Sequence, residues 1–126
     1  CKRCFKLSDV RLYPTFVRLR TGDNIPIAIS YTYLSTHIIP SLDIQVLENS
    51  LYKYIKKLGY QIQGIDAQYS AVMQKKQKEL LKVDNIALFK SQHVTFLSDG
   101  TPFEYISTYY RGDQYTYSLK TIFKDN

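Results

Sequence analysis

Arg18 and Arg20 stand two residues apart in the run FVRLRTG, so on a strand both guanidiniums leave the same face. Two like charges side by side repel unless an anion or a carboxylate lies between them. Each planar fork can grip a phosphate or carboxylate through two parallel hydrogen bonds. The pair therefore reads as an anion clamp, with a solvent-facing strand edge as the plain alternative. Ser50 begins a predicted helix, where a hydroxyl and free backbone N–H groups can meet an anion, helped by the helix dipole. Its plain role would be to cap that helix. Tyr52, two residues on, can add a phenolic hydroxyl. Two arginines, a helix start and a tyrosine make a phosphate pocket if the fold brings them together.

The segment EYISTYYRGDQYTYSL supplies a second set of polar aromatic groups. By strand parity Tyr105, Ser107 and Tyr109 share one face, and Ile106, Thr108 and Tyr110 share the other. Tyrosine suits a sugar site, since its ring packs on C–H groups while its hydroxyl bonds to hydroxyls, and it suits a half-buried sheet equally. Arg111-Gly112-Asp113 follows directly. An adhesion role for it would need an exposed loop tip on a secreted protein, and nothing indicates either. Gly112 is expected to permit a bend, with Arg111 and Asp113 paired or bonded to backbone there.

Catalytic sets are missing. The chain has no GxSxG, no Walker loop, no His beside a Ser or Cys and no paired carboxylates at useful spacing. Cys1 and Cys4 form a CxxC pair, but a zinc site needs about four ligands, and no second pair accompanies them. They read as two reduced thiols, and no metal or cofactor is expected.

Two hairpins must carry these groups. In TFVRLRTGDNIPIAISYTYLS the turn is Thr-Gly-Asp-Asn; in HVTFLSDGTPFEYISTYY it is Ser98-Asp99-Gly100-Thr101. A shift of 76 positions (102 − 26) aligns Pro26 with Pro102, Ile27 with Phe103, Thr32 with Thr108 and Tyr33 with Tyr109, which suggests an internal duplication. Between the hairpins, Asn49 or Ser50 caps a helix carrying Leu51, Ile55 and Leu58, and Gly59 stops it. YQIQGIDAQYSAV is extended. A second helix, about Ala71 to Val83, turns Met73, Leu80 and Leu81 inward and its lysines outward. The order hairpin, helix, strand, helix, hairpin gives an α+β domain with helices packed against an antiparallel sheet.

With 126 residues the chain makes one domain, and its net charge of +6 comes mostly from lysines on the predicted helices. Such clusters read as solvated helix faces, and no helix-turn-helix or other nucleic-acid motif accompanies them. No apolar run is long enough to span a bilayer, and the start has no apolar signal core. A soluble, cytoplasmic chain is expected.

The stretches FVRLRTGDNIPIAISYTYL, ENSLYKYIKKLGY and VTFLSDGTPFEYISTYYRGDQYTYSL resemble the effector-binding (UTRA) domain of GntR-type bacterial transcription regulators, HutC subfamily, over roughly residues 12–120. The most specific part is the turn-Gly-x-Pro-x-Glu stretch running into Tyr-Arg-Gly-Asp-x-Tyr. The resemblance implies a chorismate-lyase-like antiparallel sheet with flanking helices, without the lyase activity. It implies a homodimer that senses a small anionic effector, often a sugar phosphate. DNA would be met only through a winged helix-turn-helix absent from these residues, so the chain, residues 1–126, is read as one effector-binding domain. The family's phosphate-binding positions fall on Arg18, Arg20, Ser50 and Tyr52, and its ligand-lining tyrosine falls on Tyr110. Sugar-phosphate members carry a glutamate where this chain has Ser30 and tend to have an arginine where it has His93. The phosphate end is thus kept and the other end altered, which argues against an amino sugar and leaves another sugar phosphate open. The rival readings are a chorismate-lyase-like enzyme acting on a cyclic carboxylate, and a dimerisation module without a ligand.

Overall fold

Asp23 and Asn24 both adopt positive φ, 52° and 64°, between the paired residues Gly22 and Ile25. That geometry makes a two-residue type I′ turn, whose twist matches the strands it joins. The computed structural model of the chain describes residues 16–35 and 52–124, and this turn opens it by joining β1 (Phe16–Gly22) to β2 (Ile25–Leu34). A short helix, α1 (residues 52–57), follows. Its end is fixed by Gly59 at φ 92°, with Tyr60 N donating to Ile55 O and Gly59 N donating to Lys56 O. Those two bonds form the Schellman arrangement that a C-cap glycine permits.

Next come β3 (Ile62–Val72), α2 (Lys75–Leu80), β4 (Leu88–Leu97) and β5 (Pro102–Arg111). The five strands form one antiparallel sheet in the order β1-β2-β5-β4-β3. At the β4–β5 turn Asp99 Oδ1 accepts from Thr101 N at 2.9 Å, while Gly100 sits at φ 86°.

The two hairpins repeat a specific irregularity. Arg20 pairs with Ala28 and Thr21 with Pro26, leaving Ile27 without a partner on β1; Thr95 pairs with Glu104 and Phe96 with Pro102, leaving Phe103 without a partner on β4. Ile27 and Phe103 are equivalent under the 76-residue shift (103 − 27), so both halves bulge at the same place. Tyr31 pairs with Ser107, its own equivalent (31 + 76), which puts a pseudo-two-fold axis between β2 and β5.

Each face of the sheet carries its own core. Leu34, Leu97 and Phe103 pack with Ile55 of α1, while Ile29, Leu88 and Tyr109 pack with Leu81 just beyond α2. Three sequence expectations need correction. The second helix covers only six residues; Ala71 and Val72 belong instead to β3, where they pair with Phe89 and Leu88. That helix has no side-chain cap bond and no acidic residue in its first turn, so nothing extends it backward against the strand pairing. Met73 and Leu80 are exposed, and only Leu81 of the three turns inward. Leu58 is exposed too, because the chain is already leaving the helix at Gly59.

Candidate functional site

Residues directly opposite on neighbouring strands share a face, so the registers trace rows of side chains across the sheet. One row runs Arg18, Ser30, Thr108, Ser91, Tyr69 from β1 to β3. The next, toward one end, runs Arg20, Ala28, Tyr110, Phe89, Ala71. On the other side lies Thr32, Ile106, His93, Ala67, followed by Leu34, Glu104, Thr95, Ile65. All these residues face the side on which Ile55 of α1 packs. Arg18, Arg20, Ser30, His93 and Tyr110 thus share one face, and Tyr52 reaches it from α1. Ser50, like Cys1 and Cys4, lies outside the described residues.

The face is graded in chemistry. At the β1 edge the two exposed guanidiniums stand at neighbouring rows, and Arg18 also lies 5.2 Å from the centre of the Phe16 ring. One strand inward are Ala28 and Ser30, two small residues, both buried. The buried Ser30 and Thr108 hydroxyls bond to each other at 2.9 Å. Whichever hydroxyl donates within the pair, the other keeps its proton for a guest. At ~4.8 Å per strand, Arg18 and Thr108 stand on strands about 10 Å apart.

Beyond the hydroxyls comes an aromatic wall. Tyr110 stacks on Tyr115 with centroids 4.1 Å apart, and Tyr115 stacks on Phe89 at 4.9 Å. Burial raises the Tyr110 hydroxyl pKa, the Tyr115 hydroxyl raises it further, and the positive charge of Arg20 opposes both. Tyr110 is thus within electrostatic reach of Arg20, with only Ala28 between them in the row. Burial alone holds the His93 pKa below its usual value, so this half-buried imidazole favours its neutral form on the same face.

Glu104 is the group that sequence reasoning passed over. Only 4% exposed, it accepts from Thr95 Oγ1 at 2.9 Å and, through a longer bond of 3.4 Å, from the Tyr52 hydroxyl. Burial raises its pKa, while the two hydrogen bonds pull the other way. Burial, then the Glu104 charge, raises the Tyr52 pKa, which keeps that hydroxyl a donor. The signal was available: residues 104, 106, 108 and 110 share one parity, so Glu104 stands on the same face as Tyr110. The bulge at Phe103 then brings Phe103 and Glu104 together under α1, since Phe103 packs on Ile55 and Tyr52 stacks edge-on against it at 6.4 Å.

A stability prediction follows from the sign of the Glu104 shift. A carboxyl whose folded pKa lies above its unfolded value contributes stability that is fully present below the unfolded pKa. That contribution is lost as pH rises through the folded pKa. The wild type should therefore lose stability relative to Glu104→Gln as pH rises from the ordinary carboxylate range, about 4, upward. Urea unfolding of both proteins across that range checks it; parallel pH profiles would refute the assignment.

The bend at Arg111-Gly112-Asp113 behaves as expected. Arg111 Nε and Nη2 grip Asp113 at 3.1 and 2.8 Å, and Gly112 N donates to Ala87 O at 3.1 Å. The pair is intramolecular and sits at a strand end. Among the described residues, no group of three or more His, Cys, Asp or Glu could hold a metal ion, and no helix is long and apolar enough to cross a membrane.

Comparison with known proteins decides the family. The model of the UTRA domain matches residues 7–116. The chain belongs to the UTRA domain family. It is similar to the HTH-type transcriptional regulator GmuR of Bacillus subtilis (strain 168), with 32% identity over 109 residues, covering 84% of this chain and 46% of that protein. The chain thus spans about half the length of the curated relative it matches. A GntR-family transcriptional regulator from Enterococcus faecalis V583 superposes with a TM-score of 0.73 at 27% identity, covering 83% of this chain and 78% of that one. The effector-binding domain of the B. subtilis trehalose repressor TreR shares the fold, with a TM-score of 0.70 at 20% identity over 86% and 78% of the two chains. The antiparallel sheet with its two helices is the chorismate-lyase-like α+β fold of these UTRA domains, and the relatives are transcriptional regulators.

Proposed function

We propose that this UTRA domain is the sensing part of a GntR-type transcription regulator, and that it binds an anionic metabolite, a sugar phosphate, on the face described above. One observation carries the reading: two guanidiniums open onto the same sheet face as a hydroxyl pair, a buried carboxylate and an aromatic wall. Arg18 and Arg20 hold the anion, with Tyr52 completing that end and Ser50, outside the described residues, as a further candidate. The Ser30–Thr108 pair, Glu104 and Tyr110 meet hydroxyls on the rest of the guest, and His93 borders the same side. A carboxylate that accepts and hydroxyls that donate or accept suit a polyol better than a second anion. The trehalose repressor, by its name, answers to a sugar, and its effector domain has the same fold.

The domain works without catalysis, as a dimer in the cytoplasm, and meets DNA through a winged helix-turn-helix outside these residues. Effector binding shifts the balance between domain arrangements, and the ligand's preference between them sets the size of the DNA response.

A thermal-shift panel of phosphorylated sugars tests the assignment. At a hundred times its dissociation constant, the effector should add about 2.7 kcal/mol of stability. Arg18→Ala/Arg20→Ala should abolish that gain while leaving the ligand-free protein as stable as before, because both side chains are exposed. An undiminished gain in the double variant would remove the arginines from the site. Turnover of chorismate by the wild type would favour the lyase reading instead.

A further inference from the structure

The row that starts at Arg18 does not end at the hydroxyl pair. Past Thr108 it continues through Ser91 on β4 to Tyr69 on β3. Tyr69 is not an isolated ring: it stacks on Phe89 at 5.6 Å and meets Tyr117 at 4.7 Å. Phe89 also holds Tyr115, which lies on Tyr110, so these rings carry the aromatic wall outward across the sheet. Exposure rises along it. Tyr110, Phe89 and Tyr115 are half-buried, whereas Tyr69 and Tyr117 are 46% and 48% exposed. Two open rings are thus already fixed against their neighbours, and a guest would not have to order them.

A second, independent observation lies between the hydroxyl pair and this platform. Among the described residues, no hydrogen bond occupies the hydroxyls of Ser91, Tyr69 or Tyr117. Ser91, half-buried, stands one strand from the mutually bonded Ser30 and Thr108. The stretch therefore combines ring faces for C–H groups with hydroxyls free to donate and accept, which suits a sugar ring. An apolar guest would cover the Ser91 hydroxyl and leave it unpaired.

Distance decides the size of the guest. At ~4.8 Å per strand, four spacings put Tyr69 about 19 Å from Arg18. An anion held at β1 and one sugar ring over Ser30 and Thr108 fill the first part of that span and end short of Tyr69. A second ring joined to the first reaches it.

We infer that Ser91, Tyr69 and Tyr117 form a distal subsite for a second sugar ring, so that the effector is a phosphorylated disaccharide with its phosphate at the β1 end. The inference rests on the sugar-phosphate reading above and fixes the length of the guest within it.

Calorimetric titration of the 126-residue chain with short and long probes tests it: glucose 6-phosphate and mannose 6-phosphate against the 6′-phosphates of cellobiose and maltose. At least one disaccharide phosphate should bind ten or more times tighter than either short probe. Tyr69→Ala and Tyr117→Ala, both at exposed positions, should each erase most of that advantage and leave the short probes bound as before. Tyr69→Phe, which keeps the ring, should retain most of it. Equal affinity for short and long probes, an advantage that survives both alanine variants, or a loss that falls on all probes alike would overturn the subsite while the sensing role stands. Binding of none of these phosphorylated sugars would overturn the sugar-phosphate reading itself, and the subsite with it.

Discussion

Phe103→Ala is expected to lower the unfolding free energy by ~3–5 kcal/mol, the range for emptying a buried aromatic site. Phe103 is 0% exposed and packs with Leu34, Leu97 and Ile55, so its removal opens the core between the sheet and α1. Since a small domain has only ~5–15 kcal/mol in total, this loss alone would bring it near the folding threshold. The change should also weaken effector binding beyond its effect on stability. Tyr52 rests edge-on against the Phe103 ring and donates to Glu104, so without the ring it loses the support that aims its hydroxyl. Phe103→Leu, which keeps more of the volume, should recover most of the stability and less of the binding. Urea unfolding gives the first quantity and calorimetric titration the second. A stability loss under ~1 kcal/mol for the alanine variant would mean that the site collapses and that Phe103 does not hold α1.

Much of the site could be seen in the sequence because strand parity and turn chemistry are local. The two-residue spacing of Arg18 and Arg20 fixes their shared face whatever the sheet order. The Asp-Asn and Asp-Gly turns fix where each hairpin reverses. The even parity of Thr108 and Tyr110 places them together in the same way. What parity cannot supply is the order of strands, and the candidate site depends on it: Arg18 and Thr108 fall in one row only because β2 lies between β1 and β5. The repeat between hairpins held the clue, since two copies related by a two-fold axis bring their inner strands together. The bulge at Phe103 was hidden because it breaks the alternation that parity assumes. The second helix is shorter than its sequence suggests for a related reason: Met73, Leu80 and Leu81 carry an apolar spacing that suits a helix, yet pairing with β4 claims the chain through Val72.

On the proposed reading, one sheet would hold a charged guest without charged walls throughout. Each guanidinium stays solvated at the edge, where keeping two like charges costs little in high dielectric. The interior of the face is neutral except for Glu104, whose raised pKa records what burial costs its charge. A guest entering with its anion at β1 would put its hydroxyls against groups already satisfied by one another: Ser30 by Thr108, and Glu104 by Thr95. Binding there exchanges hydrogen bonds without leaving buried groups unpaired, which favours a polyhydroxyl body over an apolar one.

Gly112→Ala is the second change with a large expected effect, and its cause is space, not dihedral strain. A methyl group at Gly112 would stand 2.2 Å from the carbonyl oxygen of Ala87, a backbone atom that cannot swing aside as a side chain could. The same oxygen accepts the Gly112 N–H at 3.1 Å, so relieving the clash also breaks that bond. Overpacking at a fixed position and loss of a backbone hydrogen bond together should cost ~3 kcal/mol or more. The damage should spread to the site, because the bend at Gly112 is what returns the chain over the sheet three residues later. With the bend displaced, Tyr115 leaves Tyr110 and Phe89, and the aromatic wall opens. Weaker effector binding and a reduced near-ultraviolet tyrosine circular dichroism signal should therefore accompany the lost stability. Arg111→Ala and Asp113→Ala provide the contrast. They delete the solvent-screened ion pair at the same bend but leave the Gly112–Ala87 approach intact, so both should be far milder. If all three variants lost stability alike, the ion pair would be holding the bend, and the close backbone approach would not be its cause.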